Sequence, residues 1–237
     1  MTHDDAVRAR FADTAEAVAE HARAQIEEVR EQLRSFLAPL DGDERVLDVG
    51  TGAGTLALAL APLVGETVGI DLVPELLAEA RRAAPENVTF VEGDATRLPF
   101  DEFSFDLACS RRTLHHVGRP ELALAELARV TKLRGRIFVD DQIAPLDPLS
   151  AFELDRFERA RDPSHHRTLS DGDFRDLFAA NDLVLVRSQR FTHRRELGYY
   201  LELAGCTGAD AERVRALSPG DREHYLAESA WYLCVKG

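Results

Sequence analysis

What the 237-residue sequence has little of already narrows its function. Its three cysteines, Cys109, Cys206 and Cys234, are odd in number and widely spaced. They form neither a disulfide framework nor a zinc pattern, which suits a reducing compartment. Long apolar runs are absent as well. The longest, Thr55 to Val64, contains Pro62 and is too short to cross a bilayer. The N-terminal stretch is acidic and lacks the apolar core of a signal peptide, so a cytoplasmic protein without a membrane span is expected. Positive charge is in deficit, with 29 basic against 42 acidic residues and a formal net charge of −13. A field of that sign repels phosphodiester backbones, and nucleic acid is not an expected partner. No repeat period and no low-complexity tract is visible.

What is present has a clear order. Residues 4–38 read as one or two amphipathic helices, with Ile26, Val29, Leu33, Phe36 and Leu37 at helical spacing. Pro39 and Asp41-Gly42 stop them. Short strand-like runs follow at 45–49, 67–71, 88–92, 105–109 and 136–140, separated by helical stretches at 56–63, 74–84 and 119–131. Such alternation implies right-handed βαβ units and a parallel sheet covered on both faces. Beyond residue 145 come a helix at 148–160 and another at 171–180, the latter with Ser170 as its N-cap. A sixth strand at 184–188, helices at 196–204 and 209–217, and an edge or antiparallel strand at 231–235 complete the pattern. The expectation is a Rossmann-like, doubly wound α/β fold. Its mostly parallel sheet has seven strands, with an N-terminal helical cover over 1–40 and a late helical insertion. One domain spans 1–237: a cofactor core at 43–145 and a substrate side at 146–237. It is expected to be a monomer or homodimer.

In open α/β sheets the ligand sits beyond the carboxyl ends of the strands. Gly50, Gly52 and Gly54 follow the first strand there, and glycine lets a ligand approach the backbone closely. Such a loop also fits a dinucleotide. Asp48 argues against one, because a carboxylate beside the loop repels a pyrophosphate but can hold an ammonium. No lysine follows the glycines, so a P-loop is excluded. S-adenosylmethionine carries an ammonium and a sulfonium and no phosphate, and a carboxylate suits it. Asp71 closes the second strand 17 residues after Gly54, where it can accept both ribose hydroxyls; the alternative is a helix N-cap. Asp94 follows the third strand, where it can accept the adenine amino group while the Ala95 N–H donates to a ring nitrogen. Taken alone, Gly93-Asp94 is more often a turn than an adenine contact; three acidic residues at three consecutive strand ends favour the functional reading.

These residues resemble class I S-adenosylmethionine-dependent methyltransferases of the type 11 domain, in the branch that includes ubiquinone and menaquinone biosynthesis enzymes. VLDVGTGAGTLALALAP is similar to the family's first motif, GIDLVPELLAEARRAA to its second and VEGDATRLPF to its adenine-side motif. SFDLACSRRTLHHV and LARVTKLRGRIFVDDQIAP are similar to the fourth- and fifth-strand regions, and the likeness spans about residues 43–186. It implies that Asp48, Gly50, Thr51, Gly52 and Gly54 line the methionine part and that Asp71 binds ribose. It also implies that Leu72 packs on adenine, that Asp94 and Ala95 read its edge, and that Ser110 and Arg111 lie near the sulfonium. Leu133-Arg134-Gly135 departs from the family's Pro-Gly-Gly turn, and Val18 stands where an aromatic is usual.

Methyl transfer draws on positioning, and a base is needed only for a protonated, weakly acidic acceptor. Arg111 and His116 are the candidate catalytic residues; His115 reads more readily as structure. His165, His166 and Arg167 in the insertion are attractive for substrate, or else form a capped surface turn. Asp140 and Asp141 can touch substrate but lack the further ligands of a metal pair, and no metal is expected. Tyr199, Tyr200 and Trp231 form either an aromatic wall or ordinary packing. The expected activity is methylation of a small-molecule acceptor at oxygen, carbon or nitrogen. The alternatives are a non-methylating, lyase-like or pericyclic step on the same cofactor, and an NAD-dependent oxidoreductase.

Overall fold

The computed structural model describes residues 2–237 of the protein. Seven strands, β1 (Arg45–Val49), β2 (Glu66–Asp71), β3 (Val88–Glu92), β4 (Phe105–Arg111), β5 (Thr131–Gln142), β6 (Leu183–Glu196) and β7 (His224–Lys236), form one sheet. Their order is β3-β2-β1-β4-β5-β7-β6. The first five run parallel, and β7 is antiparallel to both β5 and β6. The chain steps outward from β1 to β3 and returns to β4 on the other side of β1. Strand order therefore reverses between β1 and β4, and a crevice opens beyond their C-terminal ends.

Both faces are covered because successive strand residues point to opposite sides. Ile137 and Val139 of β5 join Leu124, Leu127, Phe174 and Phe178, from α5 (Pro120–Val130) and α7 (Asp171–Ala180), on one face. Phe138, between them, joins Val29, Leu33, Leu56 and Leu60 on the other, from α2 (Ala15–Phe36) and α3 (Thr55–Leu60). There Phe36, Phe138 and Trp231 meet edge to face, with ring centroids 5.2 to 5.8 Å apart.

The N-terminal cover is two helices. α1 (His3–Asp13) opens on a capping box between Thr2 and Asp5 and is followed by the amphipathic α2. α4 (Pro74–Arg82) follows β2 and starts on proline. In the insertion, α6 (Pro148–Arg161), α8 (Leu197–Leu203) and α9 (Gly208–Arg215) share a small core built on Phe157, Leu197, Leu201, Val214 and Tyr225. Ser170 caps α7 in a capping box with Asp173, as its sequence predicts.

Three details differ from the sequence expectation. The helix expected over 56–63 ends at Leu60 and continues as a 3₁₀ turn, Ala61–Leu63, because Pro62 has no N–H to extend it. The strands expected at 136–140, 184–188 and 231–235 are 12, 14 and 13 residues long. The outer halves of β6 and β7 are held by cross-strand pairing from Arg187↔Leu233 to Glu196↔His224 and are mostly polar, so no alternation of apolar with polar residues marks them. Finally, of the two readings for 231–235 the antiparallel one holds and the edge one does not, since β7 is interior and β6 forms the edge. Leu133-Arg134-Gly135 lies within β5 at a register shift, with Arg134 at φ +62°.

Candidate active site

A cavity of about 860 Å³ opens at the crevice, walled by the strand tips, α1, α2 and the outer halves of β6 and β7. Its floor is the turn after β1. The Gly50 and Thr51 N–H groups donate to Ile70 O at 2.8 and 3.0 Å. Gly50 has φ +71°, and a Cβ there would lie 2.1 Å from Thr113 Cγ2, so only glycine fits. Gly52 donates its N–H to Asp71 Oδ2 at 2.7 Å, tying the first and second strand tips together. Gly54 is different. It is the left-handed N-cap of α3, and a Cβ would meet Phe90 and Ala80 at 3.1 and 3.2 Å. It stands outside the cavity lining, and its smallness serves the packing of α3 on α4.

Asp48 is 1% exposed. Its Oδ2 accepts from Thr51 Oγ1 at 2.7 Å and from Ala57 N–H at 3.1 Å, while its Oδ1 has no partner. Burial pushes its carboxyl up to about 6, against the pull of those two hydrogen bonds, and the nearby Asp71 charge adds to the rise. An unpartnered buried carboxylate oxygen at the cavity wall is a seat for a donor such as an ammonium. Asp71 accepts Gly52 N–H and Val73 N–H on separate oxygens. It is not the N-cap of α4, a position held by Val73. Each carboxylate oxygen has two lone pairs, so both can still accept a hydroxyl. Burial raises its pKa too. Asp94 closes a turn on Thr96 N–H and hydroxyl and, with Leu72 and Ala95, faces the same cavity.

On β4, alternation decides which neighbours reach the site. Ser110 is buried, its hydroxyl is unpartnered, and it stands outside the lining. Arg111 is part of the lining, with its Nε 3.1 Å from Asp140 Oδ2, and Arg112 sits 3.2 Å from Asp140 Oδ1. Two guanidinium groups thus share one buried carboxylate. His115 bonds Asp141 through Nδ1, fixing the 3₁₀ turn Leu114–His116 against β5. His116 also faces the cavity; its Nδ1 lies 3.1 Å from Ser164 O, and its ring meets Phe11 edge to face at 5.2 Å. Burial, followed by the His115 charge, holds the His116 pKa well below the usual value, so the ring is neutral.

The insertion histidines are elsewhere. His165 is buried with Nε2 on Asp155, the His166 and Arg167 N–H groups donate to His115 O, and none of the three residues lines the cavity. They follow a turn capped by Asp162 on Ser164, as the alternative reading has it, but Asp162, Ser164 and His165 are buried rather than on the surface. Tyr199, Tyr200 and Trp231 all line the cavity. So do His21, Thr113, Gln142, Phe191 and His193, which the sequence reading did not single out. The spacing of Phe191, His193 and Arg195, two residues apart along one strand face, was the available signal.

A methyltransferase domain matches residues 47–139. An uncharacterised methyltransferase, YcgJ of Bacillus subtilis, is 37% identical over 175 residues, covering 72% of this chain and 69% of its own. Its crystal structure superposes with a TM-score of 0.82 at 28% identity over 88% of this chain and 98% of the other. Demethylmenaquinone methyltransferase of Clavibacter sepedonicus is 32% identical over 76% of this chain and 72% of its own. The chain is a class I S-adenosylmethionine-dependent methyltransferase. Its cofactor is S-adenosylmethionine, and the cavity's donor set fits that group. Acidic acceptors stand at three successive strand tips, and the glycine turn offers no nest for phosphate charge beside Asp48. When bound, the cofactor supplies an electrophilic methyl group on a sulfonium. The methyltransferase itself contributes enclosure, aligned acceptors and neutral imidazoles. Among the described residues no helix is long and apolar enough to cross a membrane.

Proposed function

We propose that this methyltransferase methylates a small-molecule acceptor, at oxygen, nitrogen or carbon, inside the 860 Å³ cavity. The observation that carries the reading is the division of that cavity. Asp48, Asp71 and Asp94 gather on the β1–β3 side, while Phe191, Trp231, Tyr199 and His193 wall the β6–β7 side. Space with two chemistries fits a cofactor and a small acceptor better than a macromolecule, and the net charge of −13 disfavours nucleic acid. The three free cysteines favour a reducing, cytoplasmic setting.

In this reading Asp48, Gly50, Thr51 and Gly52 hold the methionine part of the cofactor. Asp71 takes the ribose hydroxyls, and Leu72, Asp94 and Ala95 take the adenine. Gly54 and Ser110 support the floor from behind. Arg111 orients the reacting groups. With Nδ1–H donating to Ser164 O, His116 keeps its lone pair on Nε2, where it can take a proton from an acidic acceptor. The cover formed by α1 and α2 then excludes water.

Asp71→Ala tests the cofactor half. Loss of hydrogen bonds to a charged acceptor should weaken binding of S-adenosylhomocysteine, measured by calorimetry, by about 1–3 kcal/mol, roughly 5- to 150-fold. An unchanged dissociation constant would count against the whole arrangement.

A further inference from the structure

The side of the cavity away from the glycine turn carries an unexpected surplus of positive charge for so acidic a chain. Arg10, Arg111, Arg112, Arg161 and Arg195 all line the cavity. They share the carboxylates of Asp140, Glu158 and Asp162. The remaining acids of the lining are committed elsewhere. Asp48, Asp71 and Asp94 stand at the cofactor tips, and Glu196 caps α8 through the Gly198 and Tyr199 N–H groups. Asp4 and Glu28 belong to the N-terminal helices.

Two of these arginines flank one place. Arg112 is held on Asp140 and Arg195 lies against Gln142, two residues further along β5; burial, then the charges of both arginines, lower the His193 pKa against the opposing pull of Asp140. His193 Nε2 is 2.9 Å from Ser229 Oγ, which orients the ring. Gln142 lies beside them, 5% exposed, its Oε1 3.5 Å from Arg195 Nη1 and its Nε2 without any partner. A buried amide donor left open, next to two guanidinium groups at a cavity wall, calls for an acceptor from outside the chain. Arg111 belongs to the other end, since its charge is the one felt by Asp48. Beside the open donor stand Phe191 and Trp231, with ring centroids 5.2 Å apart, a surface suited to a flat apolar body.

We propose that Arg112, Arg195 and the Gln142 amide form an oxyanion subsite, so that the methyl acceptor is a planar or aromatic small molecule bearing a carboxylate or phosphate. This rests on the reading of the cavity as an acceptor site. The anionic group anchors the acceptor against β5–β7 and turns its nucleophilic atom toward the cofactor end. Neutral His193, beside the anchor, accepts a proton or hydrogen bond from the body of the molecule. Arg112 and Gln142 act as specificity-determining residues, and the surplus charge selects anions over neutral analogues of the same shape.

Trp231 is the sole tryptophan and lines the cavity, so its fluorescence reports occupancy. The full chain, first saturated with S-adenosylhomocysteine to fill the cofactor end, is titrated at millimolar concentrations with benzoate, phenyl phosphate and the neutral benzamide. At least one anion is expected to quench Trp231 with an affinity about tenfold or more above that of benzamide. Whichever anion leads identifies the group as carboxylate or phosphate. Arg112→Gln should remove the preference while leaving S-adenosylhomocysteine binding intact, and Arg112→Lys should restore part of it. Equal quenching by all three probes, no quenching by either anion, or an unchanged preference in Arg112→Gln overturns the subsite. Failure of S-adenosylhomocysteine to bind the unaltered chain would instead overturn the cofactor-site reading on which it rests.

Discussion

Glu158→Gln is expected to destabilise the protein by about 3–5 kcal/mol, the cost of leaving buried cations without their partner. Glu158 on α6 is fully buried. Its oxygens accept from Arg161 Nε at 2.8 Å, from Tyr200 Oη at 3.0 and 3.1 Å and from Tyr225 Oη at 2.9 Å, and Arg195 lies 3.9 Å away. Glutamine can satisfy some of these donors but offers no charge to two buried guanidinium groups. Burial alone would raise the Glu158 pKa, yet Arg161 and Arg195 overcome it and hold the carboxyl at about 2. Because the folded pKa is depressed, its stabilisation is fully present above the ordinary 4.5 and is lost as pH falls through about 2. That interval is worth about 3 kcal/mol. Urea denaturation should therefore show the wild type losing stability between about pH 4.5 and 2, with the variant weaker at neutral pH and flatter across that window. A variant within about 0.5 kcal/mol of wild type at neutral pH would mean that the cluster does not hold the insertion on β6 and β7.

Sequence was enough for the parallel half of the sheet, because its strands carry short apolar runs, four of which, in β1, β2, β3 and β5, end on a glycine or carboxylate. Asp48, Asp71 and Asp94, the carboxylates proposed for the cofactor, stand out in the sequence for the same reason: a carboxylate at a strand tip is informative once the strand is known. The acceptor side does not stand out. Thr192, His193, Arg194 and Arg195 extend β6 through pairing with β7, and polar residues paired on a strand look like loop in one dimension. Nothing local in the sequence shows that Asp140 and Glu158 draw Arg111, Arg112 and Arg195 inward. Ser110 was one residue off: strand alternation sends Arg111, and not Ser110, into the cavity. Gly54 stands in the expected loop, but a Cβ there would meet Phe90 and Ala80, so its smallness serves packing behind the turn. His165 and His166 lay in the right insertion, but the fold turns them toward Asp155 and His115.

Asp48→Asn is expected to make the cofactor-free protein more stable and the cofactor bind less tightly. Asp48 sits in a site that disfavours its own charge, with burial raising its carboxyl from 3.8 to about 6. For an acid with a raised folded pKa, the penalty is absent below the unfolded value and fully present above the folded one. At neutral pH it amounts to about 3 kcal/mol. Asparagine removes that penalty. Its carbonyl oxygen can take the Thr51 hydroxyl and the Ala57 N–H that Oδ2 now accepts, and its amide then occupies the position of the unpartnered Oδ1. An open amide donor there costs about 1–3 kcal/mol, which leaves a net gain of roughly 1 kcal/mol. Toward an ammonium the balance reverses, because the amide presents hydrogens where the carboxylate presented a lone pair and a charge. Binding of S-adenosylhomocysteine, which retains the ammonium, should weaken about 10- to 100-fold. The wild-type affinity should also fall as pH drops through about 6, since protonated Asp48 no longer attracts the cation, whereas the variant should show no such slope. Thermal unfolding of the cofactor-free proteins and calorimetry across that pH range separate the two effects. If the variant bound as tightly as wild type and kept the pH slope, Asp48 would be a structural carboxylate and the ammonium would have its partner elsewhere. A stability gain accompanied by loss of affinity would instead identify the strained charge as the feature that commits this turn to a cationic cofactor.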